Sequence, residues 1–117
     1  MELRKARIQD AKNIQKLIND YAEKGMMLPR AITDIFSGIQ NFFVVEDDGE
    51  IVACCSLRIY YPGIGEIMSL AVDENKTRHG IGTMLVQASI EEAKKVGITE
   101  IFTFTYVPEF FEKLGFE

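Results

Sequence analysis

The sequence predicts one α/β domain with a mixed β-sheet flanked by helices, an α+β arrangement, and three observations support this. The chain has 117 residues, the size of a single domain, and 47% of them are hydrophobic. Two apolar segments joined by a long helical pattern predict parallel neighbouring strands, because a crossover of that length connects parallel strands. Asp48-Gly49 between two earlier apolar segments indicates an antiparallel hairpin. We therefore expect residues 1–117 to form one domain with both kinds of strand pairing.

The first half of the chain predicts a strand, two helices and a hairpin. LRKARI alternates as a short strand, after which Asp10 can cap a helix that Gly25 ends. That helix is predicted by i, i+3, i+4, i+7 spacing at Ile14, Leu17, Ile18 and Tyr21. A short second helix after Pro29 repeats the spacing at Ile32, Ile35, Phe36 and Ile39. NFFVVE and IVACCSLRIYY are the two strands of the hairpin.

The second half predicts a strand, a long helix, a strand and a short helix. PGIG breaks the hairpin strand, and EIMSLAV is nearly all apolar, as expected for a strand buried on both faces. Ile81 to Val96 form a long amphipathic helix that Gly97 ends. ITEIFTFTY is another buried strand, and PEFFEKLG is a short helix that stops at Gly115. The predicted order is β-α-α-β-β-β-α-β-α.

The net charge and the two cysteines indicate which kinds of binding site and which compartment to expect. The net charge is −5 and the pI is near 4.9, which argues against a nucleic-acid or anionic-membrane binder with a basic face. Cys54 and Cys55 are neighbours without a second pair, so we expect neither a disulfide nor a metal site. Reduced cysteines, no apolar run of 18 residues and no signal-peptide pattern predict a cytoplasmic protein.

The segment TRHGIGT, residues 77–83, lies between the buried strand and the long helix. The first N–H groups of a helix lack intrahelical partners and carry partial positive charge, so a phosphate can bind there. Gly80 and Gly82 would let an anion approach the backbone, and Arg78 and His79 add donors. A plain strand-to-helix turn fits the pattern equally well. The spacing matches neither a dinucleotide-binding fingerprint nor a P-loop.

The longer segment EIMSLAVDENKTRHGIGTMLVQASIEEAKKVG resembles the core motif of the GNAT superfamily of acetyl-CoA-dependent N-acetyltransferases. That motif is a strand, then Gln/Arg-x-x-Gly-x-Gly/Ala, then a helix; here it reads Thr77-Arg78-His79-Gly80-Ile81-Gly82. The element order is similar too, so the resemblance covers essentially the whole chain and implies a GNAT-like acyl-CoA N-acyltransferase fold. More narrowly, YAEKGMMLPR and FTFTYVPEFFEKLGF resemble the acetyltransferase domain of amino-acid N-acetyltransferases of the N-acetylglutamate synthase type.

The resemblance implies a reaction and a binding site. The acetyl group of acetyl-CoA, the cosubstrate, would pass directly to the α-amine of an amino acid, glutamate first, in arginine biosynthesis. The pyrophosphate would bind the backbone N–H groups of Arg78, His79, Gly80, Ile81, Gly82 and Thr83. The pantetheine arm would pair with the backbone of Leu70, Ala71 and Val72. A backbone N–H in this second stretch would polarise the acetyl carbonyl.

The sequence departs from the family pattern at three places. Thr77 replaces the usual Gln or Arg, which a loop that binds through its backbone should tolerate. Phe111 stands where many members have a tyrosine acid, so that role is vacant or moved. The family normally has a further strand beyond residues 115–117. We expect a truncated chain, a disordered tail or a strand from a partner chain, and a homodimer would supply the last.

Glu66 and Tyr106 are the candidate catalytic residues. Glu66 begins EIMSLAV and could deprotonate the amine through a water, because a protonated amine cannot attack; the alternative is an edge carboxylate in water. Tyr106 ends FTFTY, where the sheet should splay, and could protonate the leaving thiolate. Packing beside the core is the favoured alternative for this tyrosine.

Arg30 and Arg58 are the candidate substrate-binding residues. Arginine binds a carboxylate through two parallel hydrogen bonds, and Arg30 lies at a helix N-terminus, where its charge opposes the helix dipole. The alternative for Arg30 is a solvated charge at that helix end. Arg58 could bind a side-chain carboxylate, although an exposed strand arginine is the more ordinary interpretation. Two other functions also fit: a GNAT enzyme for another small amine or a protein amine, and a non-catalytic CoA-binding regulatory module.

Overall fold

The structure is a computed structural model that describes residues 1–76 and 80–117. The described residues form one sheet with the order β1-β2-β3-β4-β5. Its strands are β1 (Glu2–Lys5), β2 (Phe42–Asp47), β3 (Glu50–Tyr61), β4 (Ile64–Val72) and β5 (Glu100–Phe102). The helices are α1 (Ala11–Glu23), α2 (Ile32–Ser37), α3 (Ile81–Lys95) and α4 (Pro108–Lys113). Short 3-10 turns occupy Ile8–Asp10, Ile39–Asn41 and Glu74–Lys76.

The strand pairing confirms the predicted mixed sheet. Strands β1 to β4 pair antiparallel with their neighbours, and β5 pairs parallel with β4 across the α3 crossover. In the hairpin turn, Asp48 and Gly49 have φ angles of 50° and 79°. A two-residue turn of this kind needs positive φ at both positions, which is why Asp-Gly predicts it.

Each face of the sheet carries its own apolar cluster. On one face α1 and α2 cover the sheet, with Ile18 and Ile35 fully buried. On the other face α3 covers it, with Leu85 fully buried. Cys54 belongs to the first cluster and Cys55 to the second, because successive strand residues point to opposite faces. Each fully buried aliphatic side chain contributes about 1.5–3 kcal/mol, so burial on both faces fixes the β3 register.

Asp10 occupies the N-cap position of α1, but its side chain does not cap the helix as predicted. The carboxylate instead accepts hydrogen bonds from the Arg7 backbone N–H at 2.7 Å and from Nη1 of Arg4 at 2.8 Å. Nη2 of Arg4 lies 2.7 Å from Oε1 of Glu46, which ties β1 to β2 and α1. The Arg4 guanidinium is mostly buried and therefore requires carboxylate partners. The Asp10 carboxylate binds this guanidinium instead of capping the helix.

The last predicted strand is shorter than ITEIFTFTY, because β5 ends at Phe102. The hydroxyl of Thr103 donates to the Ile67 carbonyl at 2.8 Å, after which the chain leaves the sheet and Phe104 is 84% exposed. The PGIG break is shorter than predicted too, since β4 already begins at Ile64. An apolar pattern in the sequence therefore does not show where a buried strand ends and where the chain leaves the sheet.

Candidate active site

A cleft of about 990 Å³ opens where β5 ends while β4 continues to Val72. The parallel pairing joins only residues 64–66 to residues 100–102. The cleft is lined by the rest of β4, the segment 103–107, the first turn of α3, and residues of α1 and the α1–α2 connection. Ligand sites commonly measure about 300–1,000 Å³, so this cleft can hold a large substrate.

A β-bulge bends β4 in the middle of this cleft. The β3–β4 register shifts between Cys54 and Ser56, so Ser69 and Leu70 together stand opposite Cys55. Ser69 has a φ of 56°, and its carbonyl accepts a hydrogen bond from the Cys54 thiol at 3.4 Å. A bulge interrupts the strand ladder and re-aims local backbone groups, here beside the cleft.

The hydroxyl of Tyr21 holds both backbone groups of Val72. It donates to the Val72 carbonyl at 2.8 Å and accepts from the Val72 N–H at 3.2 Å. Both residues line the cleft, and the tyrosine is half-buried in its wall. The hydroxyl thus provides a hydrogen-bond partner for both the N–H and the C=O of Val72, which would otherwise need a neighbouring strand or water.

The first turn of α3 lines another wall of the cleft. Gly80 precedes it with a φ of 74°, which favours glycine, and the N–H groups of residues 81–83 have no acceptor within the helix. At Gly82, an added Cβ would lie 3.2 Å from Cζ of Phe110, so this glycine also makes room for α4. Arg78 and His79, predicted to belong to the same loop, lie outside the described residues.

Glu66 lines the cleft and is buried, with 9% of its side chain exposed, so it is not an edge carboxylate in water. Its Oε1 accepts a hydrogen bond from Nη2 of Arg58 at 2.7 Å, across the β3–β4 pair. The Arg58 side chain is 50% exposed and stacks over the Tyr60 ring at 5.6 Å. Arg58 is therefore joined to the cleft through Glu66, and a buried carboxylate is held next to a cation.

Arg30 lines the same cleft and is half-buried. Its guanidinium carbon lies 5.2 Å from the Phe42 ring centroid, and Nη1 donates to Oγ of Ser69 at 3.2 Å. Burial lowers the pKa of Arg30, and the charge of Asp34 opposes that shift. No Asp or Glu in residues 1–76 and 80–117 forms an ion pair with this guanidinium. The group can accept an anion from the cleft.

Tyr106 also lines the cleft, and 68% of the residue is exposed, so it does not pack in the core. Phe111 is buried, with 4% exposed, and carries no proton to donate. Of the predicted backbone sites, Leu70 and Val72 line the cleft, whereas the Ala71 side chain is fully buried in the α1–α2 face. The cleft thus brings Glu66, Arg30 and Tyr106 together.

Tyr21 and Ser69 are two polar residues among the cleft residues that sequence reasoning missed. The polar Ser69 inside the apolar run EIMSLAV is a signal that could have indicated a bulge. Tyr21 has the spacing of a core residue in α1, so its sequence position carries no such signal.

The family comparison agrees with this geometry. Residues 11–116 match the model of the Acetyltransferase (GNAT) family. The chain belongs to this family. It is therefore an acetyl-CoA-dependent N-acetyltransferase with the GNAT fold, as the resemblance in its sequence implied. Acetyl-CoA is its cosubstrate.

Several individual proteins are similar to this chain over nearly its whole length. An uncharacterized N-acetyltransferase of Chlorobaculum tepidum is 35% identical over 115 residues, which cover 98% of this chain and 74% of the relative. An amino-acid acetyltransferase of Mycobacterium tuberculosis is 32% identical over 117 residues, covering 97% of this chain and 67% of that protein. N-acetylglutamate synthase from Neisseria gonorrhoeae, solved with coenzyme A and N-acetyl-glutamate, gives a TM-score of 0.94 at 30% identity. The match covers 99% of this chain but 28% of that synthase.

Residues 1–76 and 80–117 contain neither a helix that could span a membrane nor a cluster of metal-ligating side chains. No helix there has both the length and the apolar character needed to cross a membrane. No three His, Cys, Asp or Glu side chains in that part of the chain form a group that could hold a metal ion.

Proposed function

We propose that this acetyltransferase acetylates the α-amine of an acidic amino acid, with glutamate as the first candidate, in arginine biosynthesis. The observation that carries the substrate choice is Arg30, a half-buried guanidinium that lines the cleft and has no ion-pair partner among the described residues. A substrate carboxylate would supply the missing partner through two parallel hydrogen bonds. The similarity to an amino-acid acetyltransferase and to N-acetylglutamate synthase supports this choice.

The cleft fits acetyl-CoA, which supplies an activated acetyl thioester when bound. The N–H groups at the start of α3, residues 80–83, are suited to the pyrophosphate, and Arg78 and His79 would complete that loop. The peptide groups of residues 70–72 would pair with pantetheine amides along the open edge of β4. The Tyr21 hydroxyl must then release Val72, because both of its backbone groups are already hydrogen-bonded.

In this proposal Glu66 accepts the amine proton through a water, which allows the nitrogen to attack the acetyl carbon. The Arg58 contact at 2.7 Å holds the Glu66 carboxylate in a fixed position in the cleft, as a general base requires. The N–H of Leu70, which belongs to the bulge, stabilises the developing oxyanion. Tyr106 lies in the same cleft and protonates the leaving thiolate, a role that Phe111 cannot fill.

In the proposal, each of two guanidiniums binds one carboxylate of the substrate. Arg30 binds the α-carboxylate, while Arg58 uses donors left over from its contact with Glu66 to attract the side-chain carboxylate. Burial lowers the pKa of Arg30, and repulsion from the positive charge of Arg58 lowers it further. A dicarboxylate substrate would relieve that repulsion better than a neutral amino acid. We also assign the enzyme to the cytoplasm, since its buried, free cysteines suit a reducing compartment.

The test is a thiol-release assay with acetyl-CoA and a panel of amines. Turnover on glutamate and aspartate above that on neutral amino acids supports the proposal. Turnover on polyamines or peptide N-termini, but not on glutamate, would contradict only the substrate choice. Acetyl-CoA binding without turnover on any amine would favour a CoA-binding regulatory module instead.

A further inference from the structure

Ser69 has a backbone conformation that serine rarely adopts. Its φ of 56° is left-handed, a region that glycine enters freely and that other residues enter at a cost. Among the described non-glycine residues, Asp48 is the other with positive φ, and it lies in a hairpin turn that requires it. Since glycine would satisfy the backbone here, the serine hydroxyl needs a role of its own.

The contacts of Ser69 connect the sheet core with the cleft. Its carbonyl accepts a hydrogen bond at 3.4 Å from the thiol of Cys54, which is completely buried. Its Oγ accepts one at 3.2 Å from Nη1 of Arg30, a side chain that reaches across from the α1–α2 connection. The backbone of the bulge is thus fixed from the core side, and the guanidinium is attached to that bulge.

We propose that Ser69 is a positioning residue that holds the Arg30 guanidinium where it meets the substrate carboxylate. This inference rests on the proposed function. The ring of Phe42 supports the guanidinium from one direction, and Oγ of Ser69 restricts it from another. An arginine side chain has considerable rotamer freedom, so two fixed contacts reduce the entropy that substrate binding must remove. Leu70 follows Ser69 directly in the same bulge. The residue that positions Arg30 and the proposed oxyanion donor are therefore neighbours.

Two substitutions separate the hydroxyl from the backbone. Ser69→Gly keeps the left-handed φ and removes the hydroxyl, whereas Ser69→Ala removes the hydroxyl and keeps the strain. Both should raise KM for the amino acid about three- to tenfold, the effect of losing one intramolecular hydrogen bond of ordinary strength. KM for acetyl-CoA should stay within about twofold in both variants, and the glycine variant should have a higher Tm than the alanine variant, because only glycine relieves the strain of the left-handed φ. Ser37→Ala is the matched control, because its hydroxyl contacts the Asp34 carbonyl outside the cleft.

A measurement without turnover tests the same contact. In the wild-type protein the restricted Arg30 guanidinium should give distinct ¹⁵Nη NMR signals, which should average together in Ser69→Gly and remain distinct in Ser37→Ala. Unchanged Arg30 signals, an unchanged KM for the amino acid, or equal rises in both KM values would each overturn the positioning role. If the wild-type protein acetylates no amino acid, the proposed function fails, and the Arg30 signals still decide the role of Ser69.

Discussion

Replacing Tyr21 with phenylalanine removes a single hydroxyl that makes two hydrogen bonds to Val72, at 2.8 and 3.2 Å. In the proposed complex the pantetheine arm takes the place of that hydroxyl on the Val72 backbone. Tyr21→Phe should therefore destabilise the free protein and strengthen the binding of CoA. The two effects have one origin, so they should be of the same size.

The magnitude follows from the contacts. A net intramolecular hydrogen bond contributes about 0.5–1.5 kcal/mol, and this hydroxyl lies in a cleft where water can replace it. We therefore assign about 1 kcal/mol to the pair of bonds, at the lower end of their summed range. The free protein should lose about 4 °C in Tm, and Kd for CoA should fall about fivefold, since 1.4 kcal/mol corresponds to a factor of ten.

Calorimetric titration with CoA and thermal unfolding with and without saturating CoA measure both quantities. With CoA saturating, the two proteins should have the same stability, because the hydroxyl contact is absent from both complexes. Tyr61→Phe is the matched control, since that residue is 66% exposed at the end of β3. It should change neither value.

A rise in Kd for the Tyr21→Phe variant would refute this reasoning, because it would mean that the hydroxyl holds the cofactor. An unchanged Kd with a lowered Tm would mean that pantetheine does not use the Val72 peptide. Either result would move the pantetheine arm to other parts of the cleft.

Four further predictions concern the cleft and the fold. Arg30→Ala should raise KM for the amino acid at least about tenfold and leave KM for acetyl-CoA nearly unchanged; steady-state kinetics would contradict a recognition role if both rose equally. Glu66→Gln should lower kcat by about 10²-fold or more, because glutamine cannot accept the amine proton, and an undiminished kcat would exclude Glu66 as the base. Gly80→Ala should cost about 1–2 kcal/mol in denaturant unfolding, because its φ of 74° strains alanine; no loss would mean that the turn adopts another conformation. Asp10→Asn should cost about 2 kcal/mol at pH 7. Hydrogen bonding from Arg4 lowers the pKa of Asp10, so the carboxylate stabilises the fold above its unfolded-state pKa of about 3.9 and this is lost as pH falls through the folded-state value. Urea unfolding should therefore show the gap between the two proteins closing in acid, and a pH-independent gap would contradict the assignment.

Local chemistry made part of this fold predictable. Asp48-Gly49 predicted its hairpin because both φ angles must be positive, and the length of the α3 crossover predicted the parallel pairing of β4 with β5. Glu66 and Arg30 were found as candidates mainly through the family resemblance. Residue spacing in the sequence could not predict how deeply these two side chains are buried or which residues they contact.

The features that sequence missed depend on contacts between distant parts of the chain. Tyr21 and Val72 are 51 positions apart, and Arg4 and Glu46 are 42 apart. In both cases a long-range polar partner decides what the side chain does, whereas periodicity reports only which face of an element it occupies. The Asp10 side chain illustrates the outcome, because the demand of a buried guanidinium overrode a local capping preference.

The adjacent cysteines allow the two faces of the sheet to be probed separately. Burial raises the pKa of both thiols, that of Cys55 to about 12, so at neutral pH neither presents a thiolate to an alkylating reagent while its face stays closed. Cys54 becomes reactive when the α1–α2 side opens, and Cys55 when the α3 side opens. Labelling rates at these two neighbouring positions therefore report how often each layer of helices separates from the sheet in the native protein.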